Sequence, residues 1–218
     1  MNETLAFWQQ TLPSLLDGFR LSLQVTGASL LLGIPLGLLL ALGLRSRYLV
    51  LRAPLLAVIE IGRGASVLVL LQFVYFGLPG TGLTLSAFAS VTLAFTWCTA
   101  AYTSEILRAG MEAVPQGQRE AAQALRFSAL DTLRLIILPQ GLPISIPALL
   151  GFAILMLQAS SLAFVVALPE LMSKAQLIGS NTFQYMPVFI LVALLFAVIC
   201  IPATVVVGYL ERRLGRHL

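Results

Sequence analysis

The chain has 218 residues, 59% of them hydrophobic and 10% charged, with a formal net charge of +4. Soluble domains carry about 25% charged residues, so this composition excludes an ordinary soluble fold. The positive excess lies at the edges of long apolar runs, which marks membrane asymmetry and not a nucleic-acid surface.

Residues 1–18 hold Glu3 and Asp17 and no basic residue. They lack the positive leader of a signal peptide, so the first span reads as an uncleaved signal-anchor. Leu5, Trp8, Leu12, Leu15 and Leu16 recur at helical spacing, which predicts a short amphipathic helix lying on the outer membrane surface. Leu21 to Leu44 is uncharged and predicts a first span over 19–44, since a bilayer core needs about 20 helical residues. Gly64 to Ser104 is also uncharged, but Gly77-Leu78-Pro79-Gly80-Thr81-Gly82 interrupts it with helix breakers. It therefore yields the ends of two spans, 53–77 and 83–107. Leu135 to Pro169 and Ala175 to Leu210 each yield one more, at 143–167 and 186–210. Cys98 and Cys200 fall inside spans and are expected as packed free thiols.

The expectation is an all-α polytopic membrane protein with five transmembrane helices. A tail over 212–218 follows a membrane domain over 19–211 and an outer segment over 1–18. All the basic residues but Lys174 are arginine. Arg45, Arg47 and Arg52 lie between spans one and two, Arg108, Arg119, Arg126 and Arg134 between three and four, and Arg212, Arg213 and Arg216 after five. In a five-span chain these loops share one side, which the positive-inside rule makes cytoplasmic; the N-terminus is then outside and the C-terminus inside.

Several chemistries have no residues to carry them. The one histidine, His217, stands at the C-terminal end, away from any cluster of cysteine and acidic residues, so a zinc or iron site is not expected. There is no Gly-x4-Gly-Lys phosphate loop and no Gly-x-Ser-x-Gly nucleophile turn. An enzyme is not expected.

The one sizeable polar island is Met111 to Pro139. Pro115 suits an early helical position, and Ala121, Ala122 and Ala124 are strong helix formers. Such small side chains would let a helix lie flat in a partner's groove, with Arg119, Glu120 and Gln123 at its polar rim and Phe127 wedged behind. Ser128 followed by Asp131 resembles a capping box and predicts a second helix from about 129 that Pro139 ends.

Within this island Glu120-Ala121-Ala122, then position 126, then Ile136-Ile137-Leu138-Pro139 reproduce a spacing that resembles the EAA loop of importer-type ABC permeases. Arg126 stands where that loop has glycine, a residue that would serve a positive-φ turn. The wider chain, about residues 15 to 212, is similar to the polar amino acid permease family. Arg63-Gly64 with Gln72-Phe73-Val74-Tyr75-Phe76-Gly77-Leu78-Pro79 carries the likeness, as do Tyr102-Thr103-Ser104-Glu105-Ile106 with Arg108, Gly117-Gln118, and Leu138-Pro139-Gln140. The departures are Ala65-Ser66 for Thr-Pro, Leu70 for a common Gln, and Gln158-Ala159 for Lys-Asp.

The resemblance implies a type I permease in the inner membrane that imports a polar amino acid or related solute. It would work as a homodimer or heterodimer, with a pair of ATPase subunits, an extracytoplasmic solute-binding protein and surrounding lipid. ATP and Mg would be on the ATPase, and this chain would hold no cofactor. Gly117, Gln118, Glu120, Ala121, Ala122, Leu125 and Arg126 would form the ATPase-docking helix. Glu60, Arg63, Ser66, Tyr102, Gln158, Ser160 and Ser161 would line the path or gate, and Glu170 and Lys174 would meet the binding protein.

Alternatives stay open at this stage. Glu60 and Arg63, three apart on one helix face, could hold a substrate carboxylate or form a structural ion pair. An arginine near mid-bilayer costs about 2.5–3.5 kcal/mol, so it needs protein or water around it. Glu105, sharing a face with Tyr102 and Cys98, could simply pair with Arg108. The hydroxyls on span four could be packing contacts. Two rival functions are an ion-driven secondary transporter or channel, and a non-transporting anchor for a cytoplasmic partner.

Overall fold

The computed structural model describes residues 2–214, and within them the chain is helical with no strand. His217 and Arg216 lie outside the described residues. Helix α1 runs Asn2–Gly43 and α2 runs Leu49–Gly64. The short α3, Val67–Gln72, passes through a π-helical stretch at Phe73–Gly77 and a 3-10 turn at Leu78–Thr81. Then come α4, Ala87–Glu112, and α5, Gln116–Ala124. A one-turn α6, Ala129–Asp131, continues through a π-helical stretch, Thr132–Ile137, into α7, Leu138–Ala159, which tightens to 3-10 over Ser160–Val166. Helices α8, Leu171–Thr182, and α9, Tyr185–Leu214, complete the chain.

Three of these stretches are long and apolar enough to cross a bilayer: Glu3–Gly43, Ala129–Val166 and Tyr185–Arg213. The α2–α3 pair makes a fourth if its bend of 108° is counted as a broken span. Helix α4 has the length, at 26 residues, but its serines and threonines keep it out of that apolar set.

Helix α4 is the centre of the bundle, and α1 packs along it more extensively than any other pair of elements. Glycine permits the contact. A Cβ at Gly33 would sit 2.5 Å from Thr99 Cβ, and one at Gly37 would lie 2.9 Å from the Ala100 carbonyl oxygen. Gly33 and Gly37 form a small-xxx-small ridge, the pattern that brings membrane helices into backbone contact. The α4–α7 crossing uses the same device, because a Cβ at Gly141 would meet Met111 Cα at 2.8 Å. Around the seam Val25, Leu71, Val91, Phe95 and Met156 form one apolar core, and Leu15, Phe19, Leu171 and Val188 form a second where α1 meets α8 and α9.

Three expectations change. The N-terminal segment is not a separate surface helix: α1 is continuous from Asn2, about 60 Å at 1.5 Å per residue. Its first turns are held against α9, where Trp8 Nε1 donates to the Pro187 carbonyl at 2.9 Å. The span expected over 53–77 is broken, because the backbone at Ala65 and Ser66 is extended between α2 and α3. Pro139 does not end its helix. The π-helical stretch before it widens the turn, and proline at the start of α7 needs no N–H donor there.

The seam gives a paired prediction. Gly33→Ala should cost about 1–3 kcal/mol through overpacking. Gly27→Ala, on the same helix with nothing within 4 Å of the added methyl, should be neutral or stabilising by up to about 1 kcal/mol. Thermal unfolding of the two variants in one detergent compares them.

Candidate functional site

The polar island folds into a helix–turn–helix hung from the end of α4. Helix α5 ends in a Schellman cap: Phe127 N–H donates to the Ala122 carbonyl at 3.0 Å and Arg126 N–H to that of Gln123 at 2.9 Å. Arg126 has φ of 57°, the left-handed conformation for which glycine is ordinarily chosen. The turn therefore survives the loss of glycine, and the arginine bears the strain. Ser128 then caps α6: its Oγ accepts from Asp131 N–H at 3.1 Å and donates to the Asp131 carboxylate at 2.6 Å.

Only one alanine of the motif faces inward. Ala122 is buried, whereas Ala121 and Ala124 are exposed with Gly117, Gln118, Glu120 and Gln123. Leu125 and Leu130 are 71% and 70% exposed, leaving an apolar stripe beside the polar face. Gln116 Nε2 donates to Glu120 at 2.8 Å, which orients that carboxylate outward. Arg119, expected at the rim, is instead half-buried and donates through Nη2 to the Met111 carbonyl at 2.8 Å, tying α5 to the end of α4. Phe127 lies behind α5 and lines a cavity with Arg119, Gln123 and Ile137.

The second group of residues surrounds the α2–α3 break. Gly62 lets α2 close onto α4, since a Cβ there would be 2.6 Å from Ala101 Cβ. Trp97 Nε1 donates to the Val58 carbonyl at 3.0 Å and Tyr102 Oη to that of Arg63 at 3.2 Å. These clamps hold the last turn of α2 so that Glu60 and Arg63 form an ion pair at 3.7 Å with both side chains accessible. Ser66 is exposed at the start of α3. Sequence reading overlooked Gly62 and Trp97, although an indole N–H in an apolar run must find an acceptor, which was a usable signal. Glu105 pairs with Arg108 at 2.6 Å, and Arg108 also reaches Glu112 at 2.8 Å.

On α7 the hydroxyls turn back on their own helix: Ser160 Oγ donates to the Leu157 carbonyl at 2.6 Å and Ser161 Oγ to that of Gln158 at 2.8 Å. Gln158 is exposed and Ser160 buried. Cys98 and Cys200 are free and buried. Among the described residues no group of three or more His, Cys, Asp or Glu side chains could hold a metal ion.

Glu170 departs from its expected role. It is fully buried, and its carboxylate accepts from Met172 N–H and Ser173 N–H, both at 2.8 Å, so it caps α8 against Ser22 of α1 instead of facing a partner. Burial pushes its pKa up to about 7, against the lowering effect of those donors. Lys174, one turn on, is partly accessible.

The profile of the family described as "Binding-protein-dependent transport system inner membrane component" matches residues 33–216. The chain belongs to this family of ABC importer permeases. Among its relatives is the probable amino-acid ABC transporter permease protein YckA of Bacillus subtilis (strain 168), 35% identical, covering 96% of this chain and 92% of the relative. Another is the L-cystine transport system permease protein TcyB of the same organism, 34% identical over 98% and 90% of the two chains. A crystal structure of an amino acid ABC transporter with histidines superposes with a TM-score of 0.90 at 31% identity, covering 96% of this chain and 97% of that one. The protein is thus a multi-pass membrane permease subunit and not itself the catalytic chain. Membership in the family removes the ion-driven carrier and anchor readings.

Two predictions follow from the permease's local geometry. Arg126→Gly should stabilise the protein by about 1 kcal/mol, the cost of holding a side chain in the left-handed region, seen as a higher thermal midpoint. For Glu170 the folded pKa is raised from 4.5 to about 7, so the folded state holds the extra proton between those values. The contribution of Glu170 to stability is then fully present below about pH 4.5 and is lost as pH rises through about 7. Glu170→Gln should flatten this dependence in thermal melts taken across that range.

Proposed function

We propose that the permease imports a polar amino acid or related solute across the inner membrane. In this reading it has five spans, counting α4 and the broken α2–α3 pair, with its N-terminus outside and its C-terminus cytoplasmic. The arginine bias between α1 and α2, from α4 to α7 and at the end of α9 supports that orientation. The substrate class follows the names of relatives, which include amino-acid and L-cystine permeases.

The α5–α6 turn carries the mechanism. Its exposed face of Gly117, Gln118, Glu120, Ala121 and Leu125 would dock on one of two ATPase subunits, which bind and hydrolyse ATP with Mg. Because Arg119 ties α5 to α4, and α5 packs on the π-helical stretch that leads into α7, movement of the ATPase would pass into both. The broken α2–α3 span is the pliable element, and Glu60 and Arg63 beside it are the charged groups nearest a solute path. An accessible Glu60–Arg63 pair facing lipid would be costly, so this face needs a second permease, identical or not, or a water-filled path. Arg63 could then hold a solute carboxylate through its planar fork, with Ser66, Tyr102 and Gln158 beside the path. Ser160 and Ser161 have spent their donors on the backbone and would shape a gate. The binding protein would meet the outer end near α8 at Lys174.

The test is ATP hydrolysis by the permease reconstituted with its ATPase and binding protein. Wild type should show hydrolysis stimulated by the solute-loaded binding protein, and Glu120→Lys should reduce that stimulation at least tenfold. Hydrolysis indifferent to Glu120 and to solute would refute the coupling role.

A further inference from the structure

A polar cavity of about 390 Å³ lies where the uncharged run of α1 ends, between α1, α2, α4 and the start of α5. Arg45, Arg52, Arg108 and Arg119 line it together with Glu105 and Glu112. The charges do not cancel. Arg108 engages both carboxylates, at 2.6 and 2.8 Å, and Arg119 is committed to the Met111 carbonyl. Among the described residues neither Arg45 nor Arg52 makes an ion pair. Four cations against two anions leave room for an anionic group, and the two uncommitted guanidiniums belong to the exposed arginines of the lining.

The segment that joins these arginines identifies what kind of anion fits. Tyr48, Leu49, Val50 and Leu51 are 62%, 75%, 90% and 50% exposed, an apolar rim running from one arginine to the other. Arg47 lies over the Tyr48 ring at 5.1 Å, extending the rim with an interfacial cation–aromatic pair. A soluble phosphate would use the cavity and leave the rim in water. A phospholipid uses both, with headgroup on the guanidiniums and acyl chains over the leucines and valine.

We infer that this cavity is a binding site for the phosphodiester headgroup of an anionic phospholipid of the cytoplasmic leaflet, held by Arg45 and Arg52. Basic pockets between membrane helices on that side suit such headgroups. The inference rests on the orientation proposed above, and the lipid would pin the α1–α2 connection to the membrane surface while the neighbouring α5 moves.

Native mass spectrometry of the full-length permease in mild detergent, titrated with phosphatidylglycerol or phosphatidylcholine, tests it. Wild type should retain phosphatidylglycerol in preference to phosphatidylcholine. Arg45→Ala/Arg52→Ala should bind it about thirty-fold more weakly, the effect of losing two arginines at a membrane surface. Arg45→Gln/Arg52→Gln should match that loss, Arg45→Lys/Arg52→Lys should recover most of it, and Arg212→Ala/Arg213→Ala should leave retention unchanged. Equal retention by wild type and both neutral variants would overturn the site. Displacement of the lipid by equimolar inorganic phosphate would overturn the lipid assignment. The readout needs neither ATPase nor solute, so its failure leaves the importer reading standing.

Discussion

The close approach of α1 to α4 is the constraint on which the rest of the permease depends. In a bilayer no hydrophobic drive brings helices together, so association rests on packing and on backbone proximity. Gly33 and Gly37 supply that proximity, and Thr99, Ala100 and Thr103 on α4 are small enough to receive it. With α1 fixed along one side, α4 can take α7 on another through Gly141 and α2 on a third through Gly62. Each crossing has a glycine in close contact, so α4 becomes the axis around which the other helices are arranged.

That arrangement separates firm parts from pliable ones. The α5–α6 turn is fastened to α4 by Arg119 and seated by buried Ala122. The α2–α3 pair, in contrast, has an extended break, beside which side-chain donors from α4, Trp97 and Tyr102, reach α2 carbonyls. Hydrogen bonds of this kind can be exchanged without unfolding a helix. The polar Glu60–Arg63 pair sits at this exchangeable joint, where alternating exposure would be useful. Where α8 meets Ser22, Glu170 anchors it to α1 with a carboxyl whose pKa burial raises to about 7.

Much of this was legible in the residues because bilayer physics leaves few choices. The uncharged runs located α1, α7 and α9, the capping-box pattern at Ser128 and Asp131 located α6, and the Glu-Ala-Ala spacing located the exposed loop. Other features depend on three-dimensional neighbours. No local pattern distinguishes an amphipathic surface helix over 1–18 from one packed against α9, since both need a stripe of Leu and Trp; the Pro187 carbonyl and the apolar contacts with Val188 and Leu191 decide. Glu170 reads as a surface residue until Ser22 and Gly18 are brought against it. The continuation through Pro139 was hidden because a π-helical turn has no compositional signature. Arg126 in a glycine conformation shows the converse, a case where the Schellman bonds overrule the side-chain preference.

In the proposed importer the end of the molecule that carries α5 faces the ATPase. A single cysteine placed at exposed Ala121, in a background where buried Cys98 and Cys200 do not react, can be cross-linked to the ATPase in the assembled transporter. A matching cysteine at exposed Gln176, on α8, samples the other end. Cross-linking from position 121 and none from 176 is the expected result. Cross-linking from 176, or none from 121 in an assembly that hydrolyses ATP, would contradict docking of the ATPase on α5.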